Sequence, residues 1–116
     1  MTILANIVIA VVAVLHVGFL LLEMFFWDHP FGRKRFGMTP EYSQASASLA
    51  ANQGLYNGFL AAGLIWGLAS GQFSVKLFFL VCVIIAGIYG AISVSQRILF
   101  VQAAPAALAL ILLWLA

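Results

Sequence analysis

An all-α helical membrane protein, folded as a four-transmembrane-helix bundle, is the class this sequence predicts, on three observations. Hydrophobic residues make up 66% of the 116 and charged residues 7%, with a mean hydropathy of +1.17. A soluble domain carries about one quarter charged residues. The apolar residues form long unbroken runs, where a transmembrane barrel would alternate apolar with polar. A span takes about 20 residues, so the chain holds four spans with short connections as a single domain over 1–116.

Helix one is expected over about 3–27, with Asn6, His16 and Glu23 as its polar exceptions. Its apolar run is too long for the core of a signal peptide and lacks a basic flank, so it reads as a retained first span. His16 and Glu23 are seven apart, which places them on nearly one face about 10 Å apart along the axis. Phe25, Phe26 and Trp27 mark a membrane–water interface, and Asp28-His29-Pro30 ends the helix. The connection 28–48 then holds Arg33, Lys34 and Arg35, the densest charge in the chain. Thr39-Pro40-Glu41 is a helix-start pattern: a capping hydroxyl, a proline in the first turn and an acid at the positive end of the dipole. A helix from residue 40 either lies along the interface or runs straight into helix two.

Helix two is expected over about 49–70. Asn52, Gln53, Tyr56 and Asn57 fall within an arc of about 140° at 100° per residue. Side-chain amides in lipid are costly unless partnered, so something must meet this face. Gly54 and Gly58, then Gly63, Gly67 and Gly71, recur at intervals that let neighbouring helices approach closely. Helix three, about 75–93, opens near Lys76 and carries Tyr89 close to its end. Polar residues over 93–97 give the break before helix four, about 97–116, where Pro105 either kinks the helix or marks its first turn.

Lys and Arg set the orientation. The first and third connections carry Arg33, Lys34, Arg35 and Arg97, the second only Lys76. The chain is therefore expected to cross the membrane several times, with both termini outside the cytoplasm.

At about 1.5 Å per residue from the cytoplasmic edge, Glu23 lies about 6 Å in and His16 near mid-membrane. On the same scale Asn52 and Gln53 lie about 5–7 Å in, Tyr56 and Asn57 about 12–13 Å, Tyr89 about 6 Å and Gln102 about 9 Å. Arg97 stands at the edge. All four helices thus offer polar groups to one half of the membrane, which points to a polar pocket opening toward the cytoplasm. Each member also has a plainer reading. Glu23 can snorkel to water or pair with Arg97; His16 can be a satisfied core histidine. Asn52, Gln53 and Asn57 can hold helices together; Arg97 can be an interface anchor and Tyr89 packing. Arg33-Lys34-Arg35 reads as a topology signal that also attracts lipid headgroups.

Several chemistries are excluded by what the chain lacks. A net charge of +2 is too small to suggest nucleic acid. Zinc or haem would need several His or Cys ligands, and only His16 lies in a span, so neither a metal nor a cofactor is expected. Cys82 is the single cysteine and can form no internal disulfide. There is no phosphate-binding loop and no nucleophile elbow.

The segments FLLLEMFFW (19–27), FGRKRFG (31–37) with Thr39-Pro40-Glu41, LAANQGLYNGFLAAGL (49–64) and YGAISVSQRILFVQAAP (89–105) resemble those of small bacterial membrane proteins, the family catalogued as domain of unknown function 1304. The resemblance covers nearly the whole chain. It implies a four-span protein of the bacterial inner (plasma) membrane and no established activity.

Three functional expectations follow. The leading one is a protein that binds, and in its fuller form transports, a small polar or amphipathic ligand. Its pocket is lined by His16, Glu23, Asn52, Gln53, Tyr56, Asn57, Tyr89, Arg97 and Gln102, with Glu23 as charge or proton carrier and Arg97 as counter-charge. Such transport would call for a homo-oligomer through the glycine-rich helix faces, with membrane lipids as the other partner. The second is a membrane-embedded enzyme using His16 and Glu23 as acid and base on a lipid or isoprenoid. The third is a structural or accessory subunit whose polar face docks another membrane protein. An arc of helix two that points outward would favour this last one.

Overall fold

A computed structural model describes all 116 residues, Met1–Ala116. The chain is helical throughout and has no strand. In order it forms α1 (Thr2–Phe25), α2 (Pro30–Phe36), α3 (Pro40–Ser70), α4 (Phe73–Ser93), a π-helical stretch (Leu99–Ala103) and α5 (Ala104–Leu115). Two of these helices, α1 and α4, are long and apolar enough to cross a membrane. The stretch Leu99–Leu115 is apolar but shorter. The longest helix, α3 with 31 residues, is diluted by serines in its opening turns and by Asn52, Gln53 and Asn57.

Local chemistry explains each boundary. Between α1 and α3 the sequence suggests an irregular connection until residue 40, but the structure places α2 there. His29 caps it, its Nδ1 accepting the Phe31 N–H at 3.2 Å, and Pro30 follows at the first turn. Gly37, at φ 63°, closes it in the left-handed conformation and donates its N–H to the Arg33 carbonyl. Gly32 is buried where a Cβ would collide with the carbonyls of Phe26 and Trp27, so only glycine fits there. Helix α3 then starts at Pro40 under Thr39, whose Oγ1 accepts the Tyr42 N–H at 3.2 Å. It runs without a break to Ser70. No proline interrupts it.

Pro105 lies in the first turn of α5, one of the two places expected for it. The ring of a helical proline clashes with the carbonyl four residues back, here that of Val101. The preceding stretch widens to π geometry, with the Ala104 N–H donating to the Leu99 carbonyl five residues back. The π-helical stretch leads directly into α5.

The chain divides into two compact units. The first comprises residues 1–14 and 60–116. Its core is drawn from four helices: Ala5, Ile9, Val12 and Ala13 of α1, Leu64 of α3, Leu80 and Val83 of α4, and Ala106, Ala109 and Leu113 of α5. Small residues set the spacing. A Cβ on Gly63 would meet the Phe79 ring, one on Gly67 the stem and backbone of Lys76, and one on Gly87 the backbone of Ala103. Close approach of this kind supplies dispersion contacts. The second unit, residues 15–59, holds the end of α1, all of α2 and the first twenty residues of α3. There Gly54 and Gly58 face Leu20, Glu23 and Met24 of α1.

Candidate functional site

Within the second unit the structure brings two of the expected site residues into contact. Asn57 Nδ2 donates to Glu23 Oε1 at 2.5 Å. The glycine spacing makes this possible. Gly54 lets the Glu23 Cβ and the Leu20 carbonyl come close to α3, and Gly58 accepts the tip of Leu20. Asn57 is buried and Glu23 half-buried. An amide is a fitting partner for a carboxyl group away from water, since its N–H answers the acid without adding a second charge. His16 is buried as well, its ring edge-on to Phe19 at 5.1 Å between centroids.

The remaining members are placed differently. Asn52, Gln53 and Tyr56 all lie on the exposed side of α3, Tyr56 at 57%. The arc of four thus splits, with Asn57 turned toward α1 and the other three turned outward. In the first unit Tyr89 and Arg97 are exposed, and Gln102 is half-buried within the π-helical stretch.

Two polar clusters lie outside the expected site. The first ties the elbow around α2. Asp28 Oδ1 accepts from Ser43 Oγ at 2.7 Å and from Arg33 at 2.9 Å, while Arg33 Nε donates to Ser43 Oγ at 3.1 Å. Trp27 Nε1 donates to Ser46 Oγ at 2.9 Å, and that hydroxyl donates to the Tyr42 carbonyl. The Ser43 hydroxyl, and next the Arg33 guanidinium, hold the Asp28 carboxyl below the usual carboxylate range. Nothing in the local sequence pairs Asp28 with a serine fifteen residues on. The second cluster lies in the first unit, where Lys76, only 5% exposed, donates from Nζ to Asn6 Oδ1 at 2.8 Å. A signal for this pair does exist. Asn6 and Lys76 each lie in the opening turns of their helices, which the expected topology puts at the same depth.

The family described as "Protein of unknown function (DUF1304)" matches residues 10–114. The chain is also similar to an uncharacterized protein, YpaA, of Lactococcus lactis subsp. lactis. The two are 32% identical over 115 residues, covering 96% of this chain and 97% of that protein. No solved structure matches the chain. Matched over nearly its full length, the chain belongs to the DUF1304 family.

Proposed function

We propose that this protein is a four-span helical protein of the bacterial inner membrane whose role is structural, forming an assembly with a second copy of itself through the amide face of α3. The observation that carries this reading is the exposure of Asn52, Gln53 and Tyr56. Trp27 and Ser46, bonded to each other, suit a membrane–water boundary. Asn52 is six residues further along α3, about 9 Å deeper. An amide left without a partner in hydrocarbon costs about 2–7 kcal/mol. Because a side-chain amide both donates and accepts, two copies related by a two-fold axis can satisfy one another on a single patch. The glycines at 54, 58, 63 and 67 already face neighbours in their own chain, so this face takes over the assembly role expected of them.

The four spans in this reading are α1, residues 49–70 of α3, α4 and residues 99–115. The last is about 25 Å long at 1.5 Å per residue, which local thinning of the bilayer accommodates. The elbow around α2 and the turn at 94–98 face the cytoplasm and both termini face out, following the positive charges.

A second reading rests on the Glu23–Asn57 bond and on buried His16. A small polar or amphipathic ligand binds beside them and is moved with Glu23 as charge or proton carrier. The enzyme reading needs a substrate that touches both His16 and Glu23, about 10 Å apart along α1. The bond from Asn57 to Glu23 lends it no support.

The test is disulfide cross-linking in native membranes, with single cysteines at positions 52, 53 and 56 in a Cys82→Ser background. The expected result is a covalent dimer from at least one position, and loss of the dimer in detergent on joint Asn52→Leu and Gln53→Leu substitution. Monomers from all three positions, together with an unchanged monomeric mass, overturn the assembly reading.

A further inference from the structure

We infer that the elbow formed by α2 is a docking surface for anionic phospholipid headgroups, with Lys34 and Arg35 as its cationic residues and Arg33 excluded from that role. The inference rests on the membrane reading above but not on the assembly. In sequence the three basic residues are equivalent. In the structure they are not. Arg33 forms the chain's one salt bridge, to Asp28, and also bonds Ser43, whose side chain is fully buried. Its charge is answered inside the elbow and its position is fixed there.

Lys34 and Arg35 are exposed and meet no carboxylate. The chain has three acids: Glu23 is bonded to Asn57, Asp28 is engaged by Arg33 and Ser43, and Glu41 forms no ion pair. Arg35 contacts only the ring of Phe36, 5.9 Å from its centroid. Two positive charges therefore leave the surface with nothing in the protein to neutralise them. The ends of α1 and α2 that form this elbow also carry Phe25, Phe26, Phe31 and Phe36, all exposed, with Phe31 at 59%. Exposed aromatic rings and unpaired cations on one elbow match a layer that is apolar on one side and anionic on the other.

The elbow is also rigid enough to present them. The His29 cap, the Gly37 turn and the Asp28–Arg33–Ser43 bonds fix α2 from both ends and from beneath. A preorganised site loses less freedom on binding than a loose loop would.

The experiment is native mass spectrometry of the full chain in detergent, doped with equal phosphatidylglycerol and phosphatidylcholine of matched acyl chains. At about a ten-fold effect or less for each charge near an anionic surface, the wild type should retain phosphatidylglycerol roughly ten-fold or more over phosphatidylcholine. Joint Lys34→Gln and Arg35→Gln substitution should abolish the preference. Arg33→Gln should keep it while lowering the melting temperature. Equal retention of both lipids by the wild type, an unchanged preference in the double variant, or displacement of the lipid by inorganic phosphate overturns the inference. Release of the chain from membranes by alkaline carbonate would instead overturn the membrane reading beneath it.

Discussion

Asn57 gives Glu23 a neutral partner inside the second unit. Replacing Asn57 by leucine removes the donor and leaves a half-buried carboxyl group unanswered, at a cost of about 1–3 kcal/mol. Glu23→Gln keeps an acceptor facing the same amide and should cost less. Glu41 is exposed and makes no ion pair, so Glu41→Gln should stay within about 0.5 kcal/mol of the wild type. Thermal unfolding in detergent ranks the three. Asn57→Leu is expected to melt lowest, and equal melting temperatures for Asn57→Leu and Glu41→Gln would show that the bond contributes nothing. The same logic explains Lys76, whose buried ammonium relies on the Asn6 carbonyl oxygen. Buried polar groups here meet across helices at positions that glycines open.

At the scale of elements, the elbow between α1 and α3 depends on one carboxylate. The Asp28 carboxyl is held below its ordinary value by Ser43 and then Arg33. A depressed folded value means that the ionised form stabilises the fold. That contribution is complete above the ordinary aspartate value of about 3.9 and is lost as pH falls through the lowered one. Asp28→Asn should therefore melt below the wild type at neutral pH, and the gap should close as the pH is lowered below about 4. Melting curves recorded across that range check it; a gap that stays constant would exclude Asp28 ionisation as the cause. Gly32 belongs to the same element, because its missing side chain lets α2 fold back against the carbonyls of Phe26 and Trp27.

For the whole molecule, the positive charges at the elbow and at Arg97 predict which ends face the cytoplasm. Single cysteines replacing Lys34 and Gln72, in a Cys82→Ser background, test this with a membrane-impermeant maleimide on intact cells. Labelling at 72 alone is expected. Labelling at 34 alone would invert the topology. Lys34 and Gln72 are both exposed, one in α2 and the other in the turn before α4, so neither substitution disturbs a buried contact.

Much of this architecture is legible in the residues themselves. The low charge and long apolar runs determine a helical chain, Thr39-Pro40 determines where α3 begins, and the glycine intervals mark where helices come close. The partners are another matter. That Arg33 binds Asp28 while Lys34 stays free, that Lys76 finds Asn6, and that Asn57 turns inward while Asn52 and Gln53 turn outward were decided only by tertiary structure. The reason is physical. Helical periodicity determines which side chains share a face, but it cannot rotate that face toward a neighbour when lipid and protein interior are equally apolar. In water, hydrophobicity would separate inside from outside; in a membrane the rotation is left to small residues, close packing and the few hydrogen bonds that become available once the helices meet.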